Sequence, residues 1–318
     1  MEYKTSLNVT TWSTTPTRRF VQACLLLILL LLLYCGGYLV HEKLTISNIQ
    51  RKEESCLWTT HIGFNGEDGE KLIPGGRYKP LDCESKNPVA VIVPYRNREA
   101  HLKIFLNRMH PFLQRQELDY GIFVVEMLPG VKFNRALLMN IGFVESRRQY
   151  GYQCFIFHDV DLLPENDHIR YTCSSSPTHL SAAIDSKNYT MPYKTYFGGV
   201  CAISKEHFEK INGYSNIYFD WGGEDDDLFE RIKFSELKIT RLPDTLGRYK
   251  MLSHPNAKQN PDKNILFKTM KERYHSDGLN SLKYRLVKYE LKQLYTWILV
   301  SINETEVMEN EPIHKGSY

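Results

Sequence analysis

Apolar positions between residues 89 and 157 come in short unbroken runs separated by stretches of helical spacing. Val89-Ala90-Val91-Ile92-Val93 is β-branched and stops at Pro94, which predicts a buried strand ended by the proline. Leu102, Phe105, Leu106, Met109, Phe112 and Leu113 then recur at the spacing of one helix face. Gly121-Ile122-Phe123-Val124-Val125 predicts a second strand, and Leu137, Ile141 and Val144 mark a second helix. Cys154-Phe155-Ile156-Phe157 predicts a third strand, running into His158-Asp159-Val160-Asp161. Strand, helix, strand, helix, strand implies an α/β fold with a mostly parallel sheet and right-handed crossovers. The polar stretch 255–264 predicts a mobile loop able to close over a ligand, and 275–300 predicts closing strands.

Residues 20–40 follow another pattern, almost wholly apolar, with leucine dominating 25–33. About 20 apolar residues cross a bilayer. A cleaved signal peptide has a shorter apolar core, about 7–15 residues, and Cys35-Gly36-Gly37 is a poor cleavage site. Lys4, Arg18 and Arg19 precede the run, which places the N-terminus in the cytosol. The expected order is a cytosolic tail (1–19), a transmembrane signal-anchor (20–40), a polar stem (41–55), a catalytic domain (56–302) and a C-terminal tail (303–318). Cys56, Cys83, Cys154, Cys173 and Cys201 then lie in an oxidising lumen, enough for two disulfides and one thiol, with the pairing open. Asn188-Tyr189-Thr190 and Asn303-Glu304-Thr305 are glycosylation sequons on the same side.

Length and charge narrow the partners. With 318 residues the chain fits one large domain or two small ones. A formal charge of +3 without a basic, aromatic-interleaved patch excludes nucleic acid as the expected partner. Ligands of such sheets bind beyond the carboxyl ends of the strands. There the chain offers Arg96, Arg98 and Arg135, whose guanidinium forks suit a diphosphate, and the Asp159-Val160-Asp161 run, whose oxygens suit a divalent cation. Tyr193, Tyr196 and Phe197, before Gly198-Gly199, read equally well as packing or as a sugar-binding wall. His254 is a candidate metal ligand, whereas Met251 is a poor one for a hard cation. The sharpest feature is Trp221-Gly222-Gly223 followed by Glu224-Asp225-Asp226-Asp227. An acidic run after two glycines is most often the solvated first turn of a helix. In a confined site the same four carboxylates ionise together only with donors, cations or water nearby.

Pro94-Tyr95-Arg96-Asn97-Arg98, Phe133-Asn134-Arg135-Ala136, Asp159-Val160-Asp161, Tyr196-Phe197-Gly198-Gly199, Trp221 to Asp227, Met251 to His254 and Ser276 to Leu282 occur in one order. In that order they resemble the β-1,4-galactosyltransferases, Golgi type II membrane enzymes of the GT-A fold, from about Cys56 to about Ile302. The anchor and stem match in kind and not in sequence. The resemblance implies that Pro94, Tyr95, Arg96, Asn97 and Arg98 hold the uridine diphosphate, with Phe133, Asn134 and Arg135. Val160, Asp161, Trp221 and His254 complete the donor site, and Asp161, Met251 and His254 bind Mn²⁺. Asp225 is the implied catalytic base, beside Glu224. The implied acceptor contacts are Tyr193, Tyr196, Gly223, Glu224, Asp225 and Asp226, with Phe267 at the N-acetyl pocket. Tyr196 occupies the position that favours galactose over N-acetylgalactosamine. Cys56–Cys83 and Cys154–Cys173 match the family's disulfides, leaving Cys201 free.

The implied activity is inverting, Mn²⁺-dependent transfer of galactose from UDP-galactose to the 4-hydroxyl of N-acetylglucosamine on glycoproteins or glycolipids. Membrane attachment is single-pass, and a homodimer is an open expectation. The competing expectations are UDP-N-acetylgalactosamine as donor, a glucosyl or xylosyl acceptor, and a membrane-tethered lectin without turnover. Three departures stand out. Asp220 replaces the family's usual glycine, Leu266 replaces a common arginine, and Pro255-Asn256-Ala257 replaces a charged run.

Overall fold

The computed structural model describes residues 30–34, 37, 72–81, 85, 87–255 and 257–309. The chain divides into two units, Met1–Glu54 and Ser55–Tyr318. In the first, residues 30–34 are helical, and the rest of the predicted anchor, with the tail and stem around it, falls outside the described residues apart from residue 37. Among the described residues no helix is long and apolar enough to cross a membrane.

The second unit is built on β1 (Arg77–Tyr78), β2 (Val89–Tyr95), β3 (Tyr120–Met127), β4 (Cys154–His158), β5 (Leu162–Pro164), β6 (Thr178–His179), β7 (Ala183–Ile184) and β8 (Val200–Ser204). Short strands β9 (Thr240–Arg241) and β10 (Arg248–Met251) and the hairpin β11 (Arg285–Leu291) and β12 (Thr296–Ser301) complete it. The large sheet runs β11-β12-β3-β2-β4-β8-β6-β9, with β1 paired to β3. Its centre is parallel, from β12 through β3 and β2 to β4. β8 then runs antiparallel to both β4 and β6, so the sheet is mixed. A second sheet pairs β5, β10 and β7.

The central strands read as continuous apolar runs because both faces are covered. On β2, Ala90 and Ile92 face one core cluster, while Val89, Val91 and Val93 face the other. Helix α1 (Glu99–Gln114) covers the second face with Phe105, Met109 and Phe112, all fully buried. Helix α2 (Arg135–Gln149) covers the first with Leu137, Ile141 and Phe143. Each such side chain contributes roughly 1.5–3 kcal/mol on burial. The strand expected to stop at Pro94 continues through it to Tyr95. Pairing with β4 ends at Ile92↔Phe157, so only β3 still pairs there, and a strand with an open side tolerates the missing amide.

Two more helices matter for the site. Helix α3 (Lys205–Lys210) follows β8, and α4 (Glu224–Phe234) carries the acidic run. Short helices α5 (Lys263–Lys268) and α6 (Met270–Arg273) lie within the predicted loop and beyond it. Of the predicted closing strands, 279–281 is instead a 3-10 turn, whereas β12 inserts parallel beside β3. The C-terminal tail begins with α7 (Glu304–Met308), capped by Asn303, and Val307 and Met308 pack on the core. Cys154 and Cys173 are disulfide-bonded and Cys201 is free and buried, while the expected Cys56–Cys83 pair lies outside the described residues. Asn188 and Asn303 are both exposed.

Candidate functional site

Gly222 and Gly223 turn the chain into α4 with φ of +107° and +97°, a region that favours glycine. From Glu224 each residue advances about 100° around the helix, so the four carboxylates point apart. Glu224 Oε1 lies 3.7 Å from Arg135 Nη1. Asp227 is fully buried, bonded to Arg231 Nε at 2.5 Å and to the Tyr218 hydroxyl at 3.0 Å. Asp226 is half-buried; desolvation raises its pKa, and the Tyr193 hydroxyl works the other way. Asp225 packs on the glycine turn, where a Cβ on Gly198 would sit 2.5 Å from its Oδ2 and 2.9 Å from the Tyr196 ring. Burial, then the Glu224 and Asp226 charges, push the Asp225 carboxyl up to about 7. The acidic run is therefore a helix first turn with one member tuned near neutrality.

The Gly198 carbonyl is anchored from behind by His179 Nε2 at 2.8 Å and Ser181 Oγ at 3.1 Å. Burial lowers the His179 pKa to about 4, which keeps the ring neutral. Its ring also meets Tyr196 edge-on at 5.4 Å, and Tyr196 meets Tyr193 at 5.6 Å. No periodicity in the sequence singles out His179. Trp221 is 55% exposed, with Lys263 Nζ 5.3 Å over its ring. Its backbone pairs with the polar stretch 255–264 at Lys258 and Asn260, at 2.9 and 3.0 Å. Phe267 is 40% exposed, whereas Leu266 is buried against Ile217 and Tyr218. An apolar residue at 266 thus serves the core.

The two aspartates of Asp159-Val160-Asp161 diverge. Asp159 Oδ1 accepts from Arg135 Nε at 2.6 Å, and burial raises its carboxyl to about 6 against that cation. Asp161 faces His254, with Oδ2 to Nε2 at 2.7 Å. The small sheet makes this meeting: Met251 pairs with Leu162, and Leu252 N donates to the Asp161 carbonyl at 2.7 Å. His254 Nδ1 lies 2.8 Å from the Pro255 carbonyl. A proton donated there leaves the Nε2 lone pair aimed at Asp161. Two basic atoms converging on one point fit a divalent cation. The third expected ligand is a thioether, and no cluster of three His, Cys, Asp or Glu suited to a metal occurs among the described residues. Met251 Sδ accepts from Ser186 Oγ at 3.2 Å, and Asp185 holds the Met251 amide at 2.8 Å. Neither Ser186 nor Asp185 carries a motif visible in the sequence.

The loop after β2 reaches the same place. Asn97, Arg98 and His101 line a cavity of about 230 Å³ with Ser253 and His254. Pro94 is buried, Tyr95 half-buried, and Val160 buried behind the rim. Arg96 lies 5.1 Å over the Phe133 ring, with Nε and Nη2 buried and unpartnered. Asn134 and Arg135 stand at the start of α2. Asn134 is fully buried, its Oδ1 capping α2 at Leu137 N (2.8 Å) and its Nδ2 donating to the Asn216 carbonyl (2.6 Å). Both polar atoms of its side chain are bonded within the fold. Arg135 donates from Nε to Asp159 and from Nη2 to the Gly199 carbonyl, while its buried Nη1, 3.7 Å from Glu224, has no hydrogen-bond partner.

Comparisons with known proteins agree with this geometry. The model for the N-terminal region of glycosyl transferase group 7 matches residues 49–174, and that for the N-terminal domain of galactosyltransferase matches 178–255. Beta-1,4-galactosyltransferase 1 of Bos taurus is 46% identical over 239 residues, 74% of this chain and 60% of that protein. Beta-1,4-galactosyltransferase 4 of Cricetulus griseus is 47% identical over 231 residues, 72% and 67% of the two chains. The matched part thus spans about 60% of the length of the Bos taurus relative. The catalytic domain of Drosophila beta1,4galactosyltransferase 7, in a crystal with xylobiose, superposes with a TM-score of 0.58 at 30% identity, over 68% of this chain and 94% of that one. A mutant of the same Drosophila protein, crystallised with manganese, UDP-Gal and xylobiose, gives the same score. The fold is therefore GT-A-like, and the chain belongs to the β-1,4-galactosyltransferase family.

Proposed function

We propose that the protein transfers galactose from UDP-galactose to the 4-hydroxyl of a terminal N-acetylglucosamine, with inversion to a β-1,4 linkage. The observation that carries the reading is Asp225, a half-buried carboxyl raised to about 7 beside Tyr193 and Tyr196. A base works best with its pKa near the working pH. In the transfer the acceptor oxygen bonds to the anomeric carbon, the bond from that carbon to the diphosphate breaks, and UDP leaves with the electron pair. Asp225 takes the hydroxyl proton. Arg96 offers unpartnered N–H donors to the diphosphate, and Arg135 keeps Glu224 and Asp159 in place around the sugar. The pair Asp161 and His254, with Met251 beside them, fits Mn²⁺, which when bound neutralises charge on the leaving group. The exposed sequon asparagines and the apolar run at 20–40 support a Golgi membrane protein with a lumenal catalytic domain. The test is incubation of the full chain with UDP-galactose, Mn²⁺ and free N-acetylglucosamine, with the product linkage read by NMR. Formation of N-acetyllactosamine is expected. Failure to consume UDP-galactose with any sugar acceptor would leave a lectin instead.

Donor choice gives a second expectation. Tyr196 crowds the space beside Gly198 and Asp225. Tyr196→Ile opens room for an acetamido group, and the kcat/KM ratio of UDP-N-acetylgalactosamine to UDP-galactose rises by roughly 10–100-fold. An unchanged ratio on the two donors would place selectivity elsewhere.

A further inference from the structure

Asp220 carries a charge at a turn where the backbone favours glycine. Its φ is +64°, in the left-handed region, and its amide donates to the Phe133 carbonyl at 2.7 Å. The ring of that same Phe133 lies beneath the Arg96 guanidinium, 5.1 Å away. Phe133 therefore brings the backbone of residue 220 and the Arg96 cation into one neighbourhood. The nearby cation Lys132 is already paired to Glu304 at 2.6 Å, whereas Arg96 Nε and Nη2 have no partner. The Asp220 charge acts on Arg96 against the burial that otherwise weakens its cationic form.

We propose that Asp220 is an affinity-tuning residue of the nucleotide site. Its carboxylate offsets the Arg96 charge and repels an incoming diphosphate, so this chain holds nucleoside diphosphates more loosely than it would with a neutral residue at 220. The inference rests on the reading of Arg96 as part of the donor site. A single charge beside a partly buried anion site changes binding by about three- to tenfold at an effective dielectric of protein surfaces. The effect acts on charge, and the uncharged nucleoside does not feel it.

Asp220→Asn isolates the charge, because asparagine tolerates the left-handed turn at least as well as aspartate. Calorimetry with UDP and with uridine, at fixed Mn²⁺ and low salt, reads the outcome. The variant is expected to bind UDP about three- to tenfold tighter, to bind uridine as the parent does, and to lose the gain at high salt. Asp220→Gly is expected to give the same gain, which separates the charge from any distortion peculiar to asparagine. UDP affinity within twofold of the parent in both variants, or an equal gain for uridine, overturns the proposal. A parent that binds no UDP at all overturns the donor assignment first, and this inference with it.

Discussion

Asp225→Asn is expected to lower kcat by about 10²–10⁴-fold, the range for removal of a positioned general base. UDP binding in the presence of Mn²⁺ should not change, because Asp225 packs on Gly198 and Tyr196, whereas Asp161 faces His254. In the parent, kcat/KM should rise as pH increases through about 7 and then level, since the ionised carboxylate is the competent form. That limb should vanish in the variant's residual activity. Stability moves the other way. A carboxyl raised in the folded state opposes folding once ionised, so the parent loses stability as pH climbs from about 4 to about 7 and recovers none above it. The asparagine variant escapes this loss and should melt higher than the parent at pH 8. Near-normal turnover, or a rate profile with the same limb, would remove Asp225 from the base role.

The central strands were legible because they are buried on both faces, so that 89–93, 122–125 and 154–157 run without a charged or amide side chain. Pro94 misled about where β2 ends, since the sequence does not say that its partner β4 has already peeled away. The reversed direction of β8 was invisible for a similar reason. It follows β4 after a long stretch whose strands, β5, β6 and β7, are two or three residues each and too short to carry a period. The site divided along the same line. Asp161 and His254 meet only because β5 and β10 pair, which also sets Met251 beside Leu162, and spacing cannot reveal either. The acidic run was legible as a helix start, but the separate duties of Glu224, Asp225, Asp226 and Asp227 follow from the helix phase. Asn134 carried its own signal, an asparagine just before an apolar helix, which marks a cap.

The second large effect concerns how α4 is held. Arg231 is fully buried and donates to Asp227 Oδ1 at 2.5 Å, to the Asp277 carbonyl at 2.7 Å and to Asp277 Oδ2 at 3.3 Å. Arg273 reaches the same two aspartates, and Asn216 N donates to Asp277 Oδ1 at 2.7 Å. Asn216 in turn accepts at its carbonyl from Asn134, so one buried network runs from the cap of α2 to the first turn of α4. Arg231→Met leaves two buried carboxylates facing one remaining arginine. Breaking such a pair by removing one partner costs about 3–5 kcal/mol, a large share of the roughly 5–15 kcal/mol that holds a domain folded. Urea unfolding should show that loss as a lower midpoint at an unchanged slope. Transfer activity should fall even where the variant remains folded, because Asp225 sits two residues from Asp227 on the turn the network fixes. Exchange of all four charged side chains for apolar ones of similar volume should restore much of the stability, since the buried charges are expensive to desolvate. It should not restore activity, because the network's directional bonds set the helix phase and apolar packing does not. A loss below about 1 kcal/mol in Arg231→Met would mean that packing of Leu228 and Ile232 alone anchors α4.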